Sequence, residues 1–375
     1  MGFGEYIGNQ RIVAALRGML AASRVPNALL FTGPRGVGKF TLARMFAQAA
    51  NCERLTDDFC GACATCLRIA ELADPRPLIE RALAERGESA DAAAVERMPL
   101  LLQPHPDVCV IVPDPVRLKT PVARPVLHVG QLRAVQRAAY FRPEGRRRVF
   151  VLDGAETMRW DLSGIFLKIL EEPPQSATLI LLAPSPFALL STIRSRCLQF
   201  HFAPLEAQQV EALLRERGEL SPAQRKLATQ LSDGSPGAAL TLDPDAAMAL
   251  RRDVLTVIDR AAGRGAISDL FSRTNQLAKQ REVPFEQVLD VFYSLLSDLL
   301  ELTWTGSHER LRNAPLLKEL EALAKHVDPP WIAEMVRGVD RLAAGTRRNL
   351  SRQLGLDAMA TGPLVESADS LRTAR

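Results

Sequence analysis

The sequence predicts a doubly wound, mostly parallel α/β domain followed by an all-helical region, and three observations carry that reading. Short apolar runs alternate with stretches of helical spacing as far as Pro204. A glycine-rich loop, "GPRGVGKFT" (Gly33–Thr41), follows the first apolar run and opens a helix, the strand–loop–helix context that a phosphate-binding loop requires. Past Pro204 the strand signal fades and the spacing becomes almost wholly helical.

Taken in order, residues 8–24 put Ile12, Leu16, Met19 and Leu20 on one helical face. "NALLFTG" then reads as a buried strand, and "KFTLARMFAQAANC" as a helix with Leu42, Ala43, Phe46, Ala47 and Ala50 on one side. Residues 72–103 interrupt the pattern as a helical insertion. Further buried strands are expected at "VCVIVP" (Val108–Pro113), "RRVFVLDGAE" (Arg147–Glu156), "ATLILLAP" (Ala177–Pro184) and the short "CLQFHF" (Cys197–Phe202). The helix "DLSGIFLKILEE" precedes the fourth strand and stops at Pro173-Pro174, because proline cannot continue a helix. The expected domains are therefore an α/β domain over 1–203, a small helical lid over 204–244, a helical collar over 245–364 and a polar, frayed tail over 365–375.

With 375 residues, 47% hydrophobic and 24% charged, the chain suits a soluble globular protein of two or three domains. No apolar stretch approaches a membrane span, and the N-terminus lacks a basic region followed by an apolar core, so a cytoplasmic protein without a membrane partner is expected. A net charge of +4 is too mild to demand nucleic acid, and the cluster "GRRRVF" fits a solvated strand entrance as readily as a binding patch.

Four of the six cysteines crowd together as Cys52-x7-Cys60-x2-Cys63-x2-Cys66. Four thiolates in one short loop match the all-sulfur tetrahedral shell of Zn²⁺, and with no open position such an ion would be structural. In the phosphate loop, Gly33, Gly36 and Gly38 let backbone N–H groups approach phosphate oxygens, and Lys39 offsets their charge. A hydroxyl that would ligate Mg²⁺ is expected directly after the lysine, but Phe40 stands there. Thr41 cannot simply replace it, since one step along a helix rotates the side chain by about a quarter turn or more. Asp153 closes the strand "VFVLD", where phosphate-loop ATPases hold magnesium, yet Gly154 follows it and Glu156 is two positions too far to take over. Binding of ATP and Mg²⁺ is therefore compromised.

"NALLF", "GPRGVGKFT", "CGACATC", "HPD", "VFVLDGAETM", "LEEPP" and "SRCLQFHF" follow one another in an order that resembles the AAA+ subunits of the bacterial DNA polymerase III clamp loader. The resemblance covers Gly8 to about Leu242, with Asn27 where the family often has histidine. It implies an AAA+ domain with a lid and a collar that assembles with gamma/tau and delta subunits into an open ring, which loads the sliding clamp on primer–template DNA. Within that family, Phe40, Gly154, the "LAPSPF" stretch and Gly237 in the lid each remove a part of the ATPase machinery. These departures resemble the delta-prime kind of subunit more than the gamma/tau ATPase. By the same resemblance Arg196 of "SRC" would act as an arginine finger on an ATP held by the neighbouring subunit. Two other readings stay open: an ATP-hydrolysing gamma/tau-type subunit, and a zinc-containing DNA-binding protein on a degenerate ATPase fold.

Overall fold

A strand covered on both faces must be apolar at every position, and the runs read from the sequence are strands of that kind. In the computed structural model of the protein the described residues are 2–86, 92–114, 125–158, 163–280, 283, 285–308, 311–346 and 351–373. They fall into two compact units, Met1–Leu213 with Gly234–Ala238, and Leu214–Asp233 with Ala239–Arg375.

The first unit runs α1 (Gln10–Ala21), β1 (Ala28–Thr32), α2 (Lys39–Asn51), α3 (Ala64–Ala70), α4 (Arg76–Arg86), α5 (Ala92–Arg97), β2 (Leu102–His105), β3 (Val108–Ile111), α6 (Val129–Ala139), β4 (Arg148–Leu152), α7 (Ser163–Glu171), β5 (Ala177–Ala183), α8 (Ser191–Arg194) and β6 (Leu198–His201). The six strands form one sheet in the order β2-β3-β4-β5-β1-β6, parallel throughout except where β2 pairs antiparallel with β3. Alternate residues serve two cores. Leu29, Phe31, Val151 and Ile180 pack with Leu16 of α1 and Leu42 and Phe46 of α2, while Leu30, Phe150, Leu152 and Leu181 pack with Leu132 of α6 and Phe166 of α7.

One expectation changes here. Helices α4 and α5 occupy the insertion, but its last residues form β2, which the sequence reading placed within a helical segment. Asp161 and Leu162, expected as the start of the helix before β5, lie outside the described residues. The insertion is anchored by a buried pair: Arg86 Nη1 and Nη2 donate to Asp114 Oδ1 and Oδ2 at 3.0 and 2.8 Å, with Nε on the Met98 carbonyl at 2.9 Å. Both side chains are almost fully buried (2% and 0% exposed), so each charge depends on the other for compensation.

The second unit is helical: it holds α10 (Pro222–Leu231), α12 (Pro244–Ala261), α13 (Ile267–Lys279), α14 (Phe285–Trp304), α15 (Leu317–Ala324), α16 (Pro329–Thr346) and α17 (Arg352–Thr373), while α9 (Ala207–Arg217), before α10, and α11 (Pro236–Thr241), after it, are divided between the units. Residues 204–244, expected as a separate lid, are thus shared out between the two units, and helix continues to Thr373 where a frayed tail was expected. Val254, Ile258, Phe292, Leu295, Met335, Val339 and Leu356 make its core. Within it Arg251 Nε donates to Asn313 Oδ1 at 2.9 Å, and Asn313 Nδ2 donates to Asp298 Oδ2 at 2.8 Å, so the buried polar groups satisfy one another. Among the described residues no helix is long and apolar enough to cross a membrane.

Candidate functional site

Strand β1 delivers the chain to the phosphate loop at the carboxyl edge of the sheet, with β5 between it and β4, where ligands bind in open α/β folds. Gly33, Gly36 and Gly38 take φ values of +142°, +73° and +99°, which side-chain-bearing residues avoid. The loop has its predicted shape, with Lys39 at the start of α2. Lys39 Nζ donates to the Gly33 and Pro34 carbonyls of the loop itself, at 2.6 and 2.7 Å. Burial holds its ammonium below the usual lysine range, while the charges of Asp153 and Glu156 oppose that shift. Phe40 is half-buried and packs against the core, and Thr41 is exposed.

The loop is packed from two sides by its own chain. On one side Tyr6 is buried, its Oη 3.5 Å from the Val37 carbonyl. On the other, residues 235–237 lie along the loop backbone. Ser235 Oγ donates to the Arg35 carbonyl at 2.7 Å, and the Gly237 N–H to the Gly36 carbonyl at 2.8 Å. A Cβ on Gly237 would sit 2.9 Å from both Cα and O of Gly36, so this approach has no room for any side chain at position 237.

Asp153 follows β4 directly, its N–H bonded to the Ile111 carbonyl at 3.0 Å. Burial pushes its carboxyl above the usual aspartate range, with the Gly154 N–H and the Lys39 charge pulling the other way. Gly154 has φ +67°, and a Cβ there would meet Pro113 Cγ at 2.8 Å. A glutamate at this position would need both a strained backbone and a displaced proline. Glu156, set aside on sequence spacing, is in fact turned back toward the loop by the 3₁₀ turn Ala155–Thr157. Its Oε1 lies 4.0 Å from Arg35 Nη2, and its buried Oε2 finds no hydrogen-bond partner among the described residues. Burial raises its carboxyl above the usual range.

Arg196 lies between α8 and β6, partly exposed, and is not gathered with the phosphate-loop residues. Its Nη1 donates to the Thr192 carbonyl at 2.9 Å and its Nη2 to Glu171 Oε1 at 2.8 Å. The nearby Arg194 is engaged differently, its guanidinium 5.0 Å over the Phe187 ring. Phe187, Leu190 and Leu198 of the same segment are exposed apolar side chains.

The cysteine loop forms a second centre at the far end of α2. Cys52 caps that helix, Cys63 caps α3, and Cys66 lies within α3. The four sulfurs all lie within 4.8 Å of one another, a group that could hold a metal ion. A tetrahedral Zn–S shell needs sulfurs about 3.8 Å apart, from bonds of about 2.3 Å, so small side-chain shifts close the set. Backbone N–H groups already point at the sulfurs: Cys60 N at Cys52 Sγ (3.4 Å), Cys63 N at Cys60 Sγ (3.3 Å), Ala62 N at Cys60 Sγ and Cys66 N at Cys63 Sγ (both 3.5 Å). Such donors stabilise thiolates, and that of Ala62 leads in bringing Cys60 down to about 6, whereas burial raises Cys66. The "HPD" segment touches this module through His105 and the turn before β4 through Asp107. His105 Nε2 meets Thr65 Oγ1 at 3.4 Å, Thr65 Oγ1 donates to Glu53 Oε1 at 2.8 Å, and Asp107 accepts from the Glu144 and Gly145 N–H groups.

A model of the family described as DNA polymerase III, delta subunit, matches residues 8–206 of this sequence. The chain belongs to the DNA polymerase III delta-subunit family. The resemblance to DNA polymerase III clamp-loader subunits therefore holds at the level of the family. Its relatives include the tau subunit of Salmonella typhimurium DNA polymerase III, 29% identical over 65% of this chain and 33% of that protein. The Bacillus subtilis tau subunit is 23% identical over 89% of this chain and 56% of its own length. The chain thus spans between a third and a little over half of these relatives. Among solved structures, a DNA polymerase III gamma subunit-related protein from Thermotoga maritima is 16% identical, covering 94% of this chain and 98% of its own, with a TM-score of 0.38.

Proposed function

We propose that this family member is a delta-prime-type clamp-loader subunit that does not turn over ATP itself. It would hold a structural Zn²⁺ on Cys52, Cys60, Cys63 and Cys66, and present Arg196 to an ATP bound by a neighbouring gamma/tau-type subunit. Its partners on this reading are the gamma/tau and delta subunits and, through the complex, the sliding clamp and primer–template DNA, in the cytoplasm.

The observation that carries the reading is the seat of residues 235–237 on the phosphate loop. Position 237, where the sensor arginine of an ATPase subunit is expected, has room only for hydrogen, and its N–H is spent on the Gly36 carbonyl. Gly154, shut in by Pro113, supports it from the other side of the site, because a water-polarising glutamate has no space there. Bound nucleotide would supply only phosphate charge here; the chain's own residues would cradle it through the loop N–H groups and Lys39. At the interface, a guanidinium donates to charge that develops on the transferring phosphoryl group, which an ammonium or a neutral donor serves less well. Exposed Phe187, Leu190 and Leu198 beside Arg196 are the kind of apolar surface that a partner covers.

The second reading, an ATP-hydrolysing gamma/tau-type subunit, is favoured by the names of the relatives. ATPase measurement on the purified chain beside a Lys39→Ala control separates the two. The proposed reading expects equal background rates, and Lys39-dependent turnover would establish the second.

A further inference from the structure

Glutamate at the last position of a helix is a locally unfavourable choice, since the helix carboxyl end already bears negative partial charge. Glu171 occupies that position in α7. Its compensation comes from Arg196, whose Nη2 reaches Glu171 Oε1 at 2.8 Å. A residue that breaks a local rule is expected where function sets the terms. The geometry points to Glu171 as a positioning residue that orients the Arg196 guanidinium for the neighbouring subunit's γ-phosphate; this rests on the proposed role of Arg196 as a finger in trans.

Three features let Glu171 do this. First, it stands on rigid ground. The turn after α7 contains Pro173 and Pro174, and Asn27 Nδ2 donates to the Pro174 and Ala177 carbonyls at 2.6 and 3.1 Å. Asn27 also accepts from Leu179 N–H at 2.8 Å, which ties the turn to β1 and β5 together. Second, Glu171 acts with a second fixed acceptor. The Thr192 carbonyl holds Arg196 Nη1 at 2.9 Å, so both terminal nitrogens are engaged and the planar fork is fixed in tilt as well as direction. Third, the pair is half open to solvent, 36% exposed at Arg196 and 52% at Glu171. A buried pair would bind the guanidinium too strongly to share it. An exposed pair is weak, so a phosphate, with greater charge, can take the free N–H groups while the carboxylate keeps the orientation.

The test uses the complex reconstituted from this full chain with gamma/tau-type and delta-type subunits, measuring kcat and KM for ATP and the Tm of this chain. Glu171→Ala lowers kcat about two- to five-fold, the range that an exposed orienting ion pair supports, with KM and Tm unchanged. Glu171→Gln, which keeps the acceptor oxygen and loses the charge, falls between. On an Arg196→Ala background Glu171→Ala has no further effect, because its only route to the reaction is gone. Wild-type kcat for Glu171→Ala alongside a large loss for Arg196→Ala overturns the positioning role and leaves the finger intact. A loss from Glu171→Ala that persists undiminished on the Arg196→Ala background overturns it also. Wild-type kcat for both single variants removes the finger reading and this inference with it.

Discussion

Two edges of the α/β unit handle their functional groups in opposite ways. At the phosphate loop, several groups are engaged within the chain: Lys39 bonds to the loop's own carbonyls, Ser235 and Gly237 bond along it, and Pro113 fills the place beside Gly154. At the Arg196 edge, the guanidinium is partly exposed, on one ion pair and one carbonyl, amid exposed apolar side chains. On the proposed reading, the loop without its own reaction is closed on itself, and the edge that would serve a neighbour is open. The lesson is that lost residues alone do not define a silent site; what fills the space they left does.

The largest effect that sharpens this contrast comes from the metal centre. Helix α2 carries Lys39 at its first residue and Cys52 at its C-cap, so a metal held by the proposed cysteine ligands would buttress the helix that starts at the loop. If the cluster holds Zn²⁺ as proposed, removing the ion with a chelator, or substituting Cys60→Ser, should destabilise the α/β unit by more than any other single change, up to about 10 kcal/mol. Thermal unfolding with metal analysis checks this; a Tm indifferent to both would remove the buttress.

Smaller, but aimed at the loop itself, is Gly237→Arg. Restoring the expected side chain should not restore turnover. It should lower stability by about 1–3 kcal/mol, since the added atoms meet Gly36 at 2.9 Å. Denaturant unfolding and an ATPase assay read both halves; a stable variant with Lys39-dependent hydrolysis would break the comparison.

The smallest concerns pH. Burial raises the folded-state Asp153 carboxyl above its ordinary range, so the folded state holds its proton more tightly than the unfolded chain does. Stability from this group is therefore full below the ordinary aspartate pKa and declines as pH climbs through the raised value. Asp153→Asn should raise Tm at neutral pH and leave it unchanged in acid; a lowered neutral Tm would show that the charge is compensated.

Much of this fold was legible because two-sided burial writes itself as continuous apolar runs, as in β1, β4 and β5. Strand β2 was not legible. "LQPH" contains proline and buries only Leu102 and His105, so an edge strand there leaves no pattern. The loop glycines, Lys39, Asp153 and the four cysteines were readable as types at fixed spacings. Glu156 was not, because its approach depends on the left-handed turn at Gly154, which spacing along a strand does not reveal. The seat of Ser235 and Gly237 was equally hidden, since most of its contacts are made by backbone atoms. Glu171 was visible within "LEEPP" as a motif, but its bond to Arg196 crosses between α7 and the segment before β6.

The central claim, that the chain is silent at its own loop and active at its edge, is tested most directly by one side-by-side measurement. Clamp-loader complexes reconstituted with wild-type, Lys39→Ala or Arg196→Ala versions of this chain would be compared for ATP turnover. The account predicts wild-type turnover for Lys39→Ala and a loss approaching about a thousandfold at the adjoining ATP site for Arg196→Ala. Loss of turnover with Lys39→Ala and none with Arg196→Ala would contradict it.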